Sequence, residues 1–419
     1  MSAADSDVLI VGAGAIGLAC AVALQQAGRS VLVIDQAAPG SGSSHGNCGT
    51  ITPSHAPPLA APGTVWRALQ WMLTPDAPLY VPPTANPALW WWLSRFALRC
   101  NGRDWRASAL AKSAVLNDSR RRLEEWVQHF GLDCGFTPSG EDYVFRDPRA
   151  FAHAQRELPL LRELGVAVQL LEGGAYATLE PALKPGLAGA IRFDGDAMLR
   201  PDRYVSELAR VVVEQGGTIL PHTPLHALEP VTGGWCANAA GNAFRAREVV
   251  IAAGAWSPLL ARQLRLPWLR HAIQPGKGYS LTYDPPALVP RRPLVLRDCS
   301  VCVTAWPDGF RLGSTMEFSG HTEGLNPLRL AALERGAAAF LHQPVGPVLR
   351  ERWWGWRPMC VDDVPIIGAA PGRAGLWLAT GHGMMGIGMS AATGQMIADL
   401  VTGRSPAIDP LPYSPLRFV

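Results

Sequence analysis

The chain has 419 residues, of which 48% are hydrophobic and 17% charged, a composition that excludes a disordered chain and suggests about two structural units. A net charge of only +3 gives no electrostatic reason to expect nucleic-acid binding. The sequence shows no apolar run of about 18 residues, no basic leader, and eight scattered cysteines, so we predict a cytoplasmic protein without a membrane span.

The N-terminal segment carries a nucleotide-binding pattern. Apolar residues 8–11 predict a strand, and the small residues that follow predict a helix. Gly12, Gly14 and Gly17 lie between the two and fit G-x-G-x-x-G, in which the glycines allow a tight turn, close approach to a pyrophosphate and helix packing. Asp35 ends the next predicted strand, where a carboxylate accepts hydrogen bonds from a ribose. The alternative is a glycine-rich turn in an ordinary α/β unit.

The remaining elements follow in chain order. Residues 40–63 predict a long ordered loop, and residues 381–388 a glycine-rich one. Helices are predicted over residues 66–73, 89–98, 110–130, 149–164, 201–215, 328–341 and 389–401. Strands are predicted over residues 166–171, 218–220, 248–253, 365–367 and 376–380, and residues 273–312 are predicted to be rich in β-structure.

The fingerprint alone does not choose between NAD and FAD. Its position helps, because one glycine-rich element lies at each end of the chain, and a dinucleotide held by both ends is typical of FAD folds. We therefore predict an α/β protein with a Rossmann-like FAD-binding domain and an interleaved α+β substrate domain built on a mostly antiparallel sheet. The predicted FAD-binding domain comprises residues 1–63, 195–260 and 350–419, and the substrate domain residues 64–194 and 261–349.

Several sequence blocks resemble the D-amino acid oxidase superfamily of flavoproteins. Beyond the fingerprint they are SHGNCGTITP at 44–53, AAPG at 60–63, AGAWS at 253–257, KGYS at 277–280, GWRPM at 355–359, PIIG at 365–368, TGHG at 380–383 and GQMIADL at 394–400. Within that superfamily they are most similar to bacterial D-amino acid dehydrogenases, including those of the D-hydroxyproline type. The resemblance departs from the usual pattern at His45, Thr50 and residues 360–363, which are expected near the flavin or the substrate.

The resemblance implies oxidation of a carbon–nitrogen bond. The substrate Cα–H leaves as a hydride to the flavin, giving an imino acid. Arg357 is implied to bind the substrate carboxylate; the alternative is a structural arginine paired with Asp362 or Asp363. Tyr279 is implied to be a second carboxylate or lid contact, or else a packed sheet tyrosine. His382 is implied to hydrogen-bond the flavin or accept the amine proton, against a purely structural histidine.

The predicted FAD contacts come from both ends of the chain. They are Gly12, Ala13, Gly14, Ala15, Ile16, Gly17, Asp35, Gln36, Ser43, Ser44, His45, Asn47, Cys48, Gly49, Thr50, Ala253, Gly254, Gly381, Gly383, Met384, Met385 and Gly386. The final predicted helix would direct its N-terminus at the reduced flavin. His55 is expected in the pocket or at its mouth.

The cysteines leave two further questions. Cys299 and Cys302 form an isolated C-x-x-C without a second pair, so we predict no metal site. Cys48 and Cys360 raise the question of a covalent flavin link, but the residues around them do not match one.

The predicted partners are a small amino or imino acid and a quinone or other electron carrier. A cluster of tryptophans favours either peripheral contact with the inner membrane face or an aromatic core. Its members are Trp66, Trp71, Trp90, Trp91 and Trp92. Two alternatives stay open for function. One is an oxygen-using oxidase of the glycine or sarcosine type; the other is a flavin-binding subunit, of a larger complex, without chemistry of its own.

Overall fold

A computed structural model describes residues 5–66 and 79–419. The helix predicted over residues 66–73 lies outside the described residues except for Trp66, and so does Trp71. The α-helices are α1 (Ala15–Gln26), α2 (Pro87–Arg99), α3 (Gly102–Phe130), α4 (Pro148–Ala154), α5 (Leu158–Glu163), α6 (Gly173–Leu179), α7 (Pro201–Glu214), α8 (Leu269–Ala272), α9 (Pro327–Phe340) and α10 (Gly386–Val401). Short 3₁₀ turns are Pro53–His55, Gln155–Glu157, Gly254–Leu260, Leu411–Tyr413 and Pro415–Phe418.

The strands run the length of the chain. They are β1 (Ser6–Val11), β2 (Val31–Ile34), β3 (Thr50–Ile51), β4 (Leu79–Tyr80), β5 (Glu141–Phe145), β6 (Gln169–Glu172), β7 (Gly189–Phe193), β8 (Ala197–Met198), β9 (Thr218–Leu220), β10 (Leu225–Val231), β11 (Gly234–Ala239), β12 (Asn242–Ile251), β13 (Ile273–Tyr283), β14 (Leu294–Leu296), β15 (Val301–Trp306), β16 (Gly309–Glu317), β17 (Leu349–Cys360), β18 (Ile366–Ala369) and β19 (Leu376–Thr380).

The first sheet holds the N-terminal glycine motif. Its order is β10-β11-β12-β1-β2-β9, and β19 and then β18 pair beside the second half of β12. Strands β9, β2, β1, β12 and β19 are parallel, while β10, β11 and β12 form an antiparallel meander. Both β1 and β2 are almost entirely buried, which explains why their sequences are continuous apolar runs.

The first and last long helices pack directly against each other on this sheet. Helix α1 buries nine of its twelve residues, which are small enough to allow a close crossing. A Cβ at Gly394 of α10 would lie 2.3 Å from the carbonyl oxygen of Ala19, so only glycine fits at the crossing point. The two ends of the polypeptide therefore share one hydrophobic core.

The second sheet is mostly antiparallel, as predicted. Its order is β17-β13-β16-β15-β14-β5-β7-β6, with β4 beside β16. The pairs β14–β5 and β4–β16 are parallel, and the other pairs are antiparallel. The buried strand β13 lies between β16 and β17. These sheets confirm the predicted α/β class with a mostly antiparallel second layer, and the domain boundaries stay a prediction.

The strand predictions were incomplete, since β3, β4, β5, β7, β8, β10 and β11 were not predicted. The strand predicted over residues 248–253 is longer, Asn242–Ile251, and belongs to a meander that the sequence did not suggest. Its turns place Gly233 and Ala240 at positive φ, and only β11 alternates regularly between buried and less buried residues, so the period-2 signal is short. Strand β17 was also not predicted, because its arginine and tryptophan residues resemble neither a buried nor an alternating strand.

Helix boundaries also differ from the predictions. Helix α3 starts at Gly102 rather than Leu110, and Asn101 caps it by accepting a hydrogen bond from the Asp104 N–H. The helix predicted over residues 149–164 is interrupted by a 3₁₀ turn before Pro159, since proline cannot continue the hydrogen-bond ladder. Helix α10 begins at Gly386 rather than Met389, so part of the predicted glycine loop is helical.

The tryptophans of α2 do not share one environment. Trp92 is buried and stacks on Phe96, with Phe318 5.2 Å away between ring centroids. Trp90 and Trp91 are 44% and 56% exposed, so this cluster divides between core and surface. Within the described residues, no helix has the length and apolar character needed to cross a membrane.

Candidate functional site

One cleft of about 450 Å³ lies between the first sheet, the loop of residues 40–47, the loop before α10, and the second sheet. The glycine motif lies in one part of its wall, and Arg357 and His382 lie in another. Residues more than 340 positions apart in sequence thus line one cavity. The arrangement follows from the packing of α1 against α10, which brings the two loops that precede these helices together.

The three motif glycines have different structural roles. Gly12 has φ +114°, and a Cβ there would lie 2.5 Å from the Ala252 carbonyl oxygen. At Gly17 a Cβ would lie 1.8 Å from the Gly12 carbonyl oxygen. Gly14 has ordinary geometry, and its Cβ would meet only the Ser44 hydroxyl, at 3.5 Å, while pointing into the cleft. Gly12 and Gly17 are therefore needed by the fold, whereas Gly14 keeps the cavity open.

Helix α1 directs its N-terminus into the same part of the cleft. Its first turn has no acidic residue, and the Ala15 N–H donates to the Ser44 hydroxyl at 3.2 Å. Gly14 accepts the first intrahelical bond, from Leu18, so the N–H groups of Ile16 and Gly17 have no partner within the helix. Free N–H groups and the helix dipole make this wall suitable for a pyrophosphate.

Asp35 lies at the end of β2 in the same wall. Its two carboxylate oxygens accept hydrogen bonds from the N–H groups of Ala13 at 2.6 Å and Ala37 at 2.8 Å. Burial raises the pKa of Asp35, and the two backbone donors act in the opposite direction. These donors hold the carboxylate at the cleft surface, where a ribose hydroxyl can donate to it.

The opposite part of the cleft is formed by the loop before α10. The Gly383 N–H donates to the Pro358 carbonyl at 3.0 Å, and His382 forms an isolated antiparallel β-bridge with Met359. These backbone contacts hold the loop against the end of β17. The His382 Nε2 and Thr393 hydroxyl are 3.0 Å apart. Burial lowers the pKa of His382 to about 3, so the imidazole is neutral near pH 7 and is a weak proton acceptor there.

Arg357 extends from β17 into the cleft wall. Its guanidinium donates to the Thr315 carbonyl at 2.6 Å. The side chain crosses Gly278 so closely that a Cβ there would lie 2.3 Å from the guanidinium carbon. Burial lowers the pKa of Arg357, yet an arginine keeps its charge at neutral pH.

The alternative ion pairs proposed for Arg357 are wrong. Asp362 pairs with Arg417 at 2.8 Å, and Asp363 pairs with Lys112 at 2.6 Å. Among the residues that the structure describes, no carboxylate lies within ion-pair distance of Arg357. An unpaired, partly buried guanidinium favours an anionic ligand.

The structure does not bring Tyr279 to the cleft. It is fully buried in the core under α9, and its hydroxyl donates to Glu317 at 3.1 Å. Successive residues of a strand point to opposite faces, and Gly278 and Ser280 occupy the face on which Arg357 lies. The tyrosine therefore packs on the far side of the sheet.

The loop of residues 43–50 divides between the cleft and the second sheet. Ser43 donates to the Trp356 carbonyl, and the Asn47 amide donates to the Met384 carbonyl at 3.3 Å. His45 instead pairs with Glu351 at 2.7 Å in a separate charged depression. The structure therefore does not place the His45 side chain in the cleft.

Most of the predicted contacts line the cleft. They are Gly12, Gly14, Ala15, Ile16, Asp35, Gln36, Ser43, Ser44, Asn47, Ala253, Gly254, Arg357, His382, Gly383, Met384 and Gly386. The predicted residues that lie outside the lining are Ala13, Gly17, His45, Cys48, Gly49, Thr50, Tyr279, Gly381 and Met385. Ala13 and Gly17 support the motif without lining the cleft. The Ala13 N–H donates to the Asp35 carboxylate, and Gly17 packs against the Gly12 carbonyl oxygen.

Some lining residues gave no recognisable sequence signal. Chief among them are the loop Thr223–Leu225, the pair Leu259 and Leu260, and Trp353. Thr223 is placed there by its N–H, which donates to the Asp35 carbonyl at 2.6 Å. The position of this loop beside the cleft can be inferred only once the parallel pairing of β2 and β9 is known.

Comparisons with known proteins agree with this geometry. A family model described as FAD dependent oxidoreductase matches residues 7–400. The chain is 32% identical over 416 residues to a D-amino acid dehydrogenase of Rhizorhabdus wittichii, covering 96% of this chain and 97% of the relative. It is also 32% identical over 413 residues to a D-amino acid dehydrogenase of Agrobacterium fabrum, with the same coverage.

Solved structures share the fold. Glycine oxidase from Geobacillus kaustophilus superposes with a TM-score of 0.78 at 24% identity, covering all of both chains. L-proline dehydrogenase from P. horikoshii gives a TM-score of 0.73 at 17% identity, covering 100% of this chain and 98% of the other. At these identities the likeness concerns architecture.

Proposed function

Because the chain belongs to the FAD dependent oxidoreductase family, we propose that it is an FAD-dependent D-amino acid dehydrogenase. Its substrate is a small D-amino or D-imino acid, such as cis-4-hydroxy-D-proline. The relatives named D-amino acid dehydrogenase support the D configuration. The observation that carries the proposal is the unpaired guanidinium of Arg357 in the wall of the cleft that also holds the dinucleotide motif.

The residues around the cleft fit FAD. The N-terminus of α1 and the open space at Gly14 would hold the pyrophosphate, and Asp35 would hold a ribose. The N-terminus of α10, whose first turn has no acidic residue, lines the same cleft and would stabilise a reduced, anionic ring bound there. When bound, FAD would supply the acceptor for the hydride of the substrate Cα–H, which carries both electrons of the oxidation.

The protein's own residues position the substrate. Arg357 binds the carboxylate with two parallel hydrogen bonds, which fixes Cα. His382 is neutral and hydrogen-bonded to the Thr393 hydroxyl. It therefore orients groups in the cleft and does not accept the proton of the substrate amine. The substrate amine is therefore bound as the free base or loses its proton to a group other than His382.

The first test is reduction of the flavin without oxygen. We expect D-amino acids and D-proline isomers to bleach the bound flavin, and the L-enantiomers, as matched controls, to leave it yellow. Bleaching by glycine and sarcosine alone would favour an oxidase of the glycine type, whose fold this chain shares. If no amine bleached the flavin, a flavin-binding subunit would be the better explanation and the proposal would be wrong.

The second test concerns the electron acceptor. We propose a quinone or another carrier rather than oxygen, in keeping with the dehydrogenase relatives. With a soluble quinone analogue present, turnover should be at least about ten times faster than in air alone, a difference of about 1.4 kcal/mol in activation free energy. Peroxide formed in proportion to substrate consumed would contradict this acceptor.

A further inference from the structure

The two cysteines of the C-x-x-C segment face opposite sides of the second sheet. The Cys299 sulfur lies on the side of α9, where a Cβ added to Gly336 would meet it at 3.0 Å. Cys302 lies in β15 between Val301 and Val303, and both valines pack in the core under α9. Because successive strand residues point to opposite faces, the Cys302 side chain is on the other face, away from Cys299.

A cysteine of the loop of residues 43–50 lies beside Cys302 instead. Cys302 is paired with Gly313 of β16. The Cys48 sulfur occupies the space that a side chain at Gly313 would fill, since a Cβ added there would lie 2.4 Å from it. Directly paired residues of an antiparallel sheet place their Cβ atoms about 4.5–5.5 Å apart. The two thiols are therefore neighbours on one face, although they are more than 250 positions apart in sequence.

Backbone contacts hold the cysteine of this loop in position. The Arg311 guanidinium of β16, which is 2% exposed, donates to the carbonyl oxygens of His45 and Asn47 at 2.9 Å and 2.7 Å. On the other side of the cysteine, the Gly49 carbonyl accepts a hydrogen bond from the Leu199 N–H at 2.8 Å. The loop is thus ordered before any reaction, so joining the two thiols costs little further conformational entropy.

The surroundings of Cys48 favour its thiolate. A hydrogen bond from the Cys302 thiol lowers the pKa of Cys48, and burial acts in the opposite direction. The positive charges of Arg311 and Arg357 lower it further. Elsewhere burial dominates, and it raises the pKa of Cys100 to about 11. Because the thiolate is the reactive form of cysteine, Cys48 is the nucleophile of the pair and Cys302 is the resolving thiol.

Both thiols are also within reach of a small oxidant. Cys48 and Cys302 are free and partly exposed, whereas Cys20, Cys134 and Cys360 are free and buried. Oxidation of cysteine depends on thiolate character and on exposure together. The two properties coincide at Cys48, next to a second thiol.

We propose that Cys48 and Cys302 are a redox-sensitive pair, which hydrogen peroxide converts to a disulfide that locks the loop of residues 43–50 to the second sheet. The Cys48 sulfur attacks one peroxide oxygen, the O–O bond breaks, and a water molecule leaves, which gives a sulfenic acid. The Cys302 sulfur then attacks the Cys48 sulfur, the S–O bond breaks, and a second water molecule leaves as the S–S bond forms. The thiols lose two electrons and two protons, and the peroxide is reduced to water.

The disulfide would join two walls of the cleft. The loop contributes Ser43, Ser44 and Asn47 to the cleft lining, and β15 belongs to the second sheet. A covalent link between them closes a ring of more than 250 residues and restricts the unfolded chain, which stabilises the folded one. Neither step involves the cofactor or the substrate, so this modification does not depend on the proposed function.

The test treats the purified protein with a small molar excess of hydrogen peroxide and then counts free thiols. We expect two of the eight thiols to be lost and to return after reduction with dithiothreitol. Trypsin digestion without reductant should yield one cross-linked product, which joins residues 30–67 to residues 298–311. The thermal midpoint of the oxidised protein should rise by about 2–6 °C, because ring closure destabilises the unfolded state.

Three variants identify the cysteines that react. Cys299→Ser is the matched control, because Cys299 shares a tryptic peptide with Cys302 but faces α9, and this variant should still form the cross-link. Cys48→Ser and Cys302→Ser should form no cross-linked product and show no rise in thermal midpoint. If either of these two does not fold, the cross-link in Cys299→Ser decides alone, since its two peptides then hold one cysteine each.

The outcomes separate the pair from its effect. A disulfide between Cys299 and Cys302 in the wild-type protein, or no cross-linked product in Cys299→Ser, would overturn the pairing. A cross-link that forms but leaves the thermal midpoint unchanged or lower would overturn the locking of the loop to the sheet.

Discussion

Replacing Gly14 by valine is expected to give a folded protein that purifies without FAD. A side chain at Gly14 has space within the protein, since its Cβ meets only the Ser44 hydroxyl at 3.5 Å. The same side chain enters the cavity where the pyrophosphate must approach the backbone. Absorbance near 450 nm, about the usual flavin band, should fall to the background level after purification.

The control for this variant is Gly102→Val. Gly102 also has no positive φ and meets nothing within 4 Å, but it lies at the start of α3, away from the cleft. We expect Gly102→Val to keep a full complement of FAD, and the two apoproteins to differ in free energy of unfolding by no more than about 1 kcal/mol. Gly14→Val with stoichiometric FAD would show that the pyrophosphate does not bind at this motif.

Replacing Arg357 by alanine should leave FAD bound and greatly reduce substrate affinity. Removing one partner of a buried, hydrogen-bonded charge pair costs about 2–5 kcal/mol, which corresponds to a fall in kcat/KM of about 30-fold to several thousand-fold. Most of the effect should appear in KM, because the carboxylate is bound in both the ground state and the transition state. Steady-state kinetics and the flavin content of the same preparation provide the measurement.

Variants around Arg357 separate its charge from its shape. Arg357→Lys keeps the charge but loses the planar fork, so its kcat/KM should lie between those of the wild type and Arg357→Ala. Gly278→Ala should raise KM as well, since a Cβ there would displace the guanidinium. Arg352→Ala, on an exposed position of the same strand, is the control. Loss of FAD from Arg357→Ala would mean that the arginine holds the cofactor rather than the substrate.

Local patterns predicted the elements that depend on nearby residues. The glycine motif, α1, β2 and Asp35 form one contiguous stretch, and each has a direct physical signature in composition and spacing. The same is true of α7 and α9, whose ends the sequence located to within one residue. For these elements the local preference and the final fold agree.

The parts that could not be predicted depend on pairing between distant strands. The sequence left open whether Tyr279 contacts the substrate or packs within the sheet, because one residue of register decides which face a strand residue occupies, and the structure shows the packed position. Thr223 reaches the cleft only through the pairing of β2 with β9.

The close crossing of Ala19 and Gly394 also bears on how the protein is made. Some 370 residues separate the start of α1 from the start of α10, and a ribosome adds about 5–20 residues per second. The apolar surface of α1 that contacts α10 therefore remains uncovered by that helix for roughly 20–70 s during synthesis. Coenzyme capture is consequently a late step in biogenesis, and the nascent chain is exposed to aggregation or chaperone binding until α10 has been synthesised.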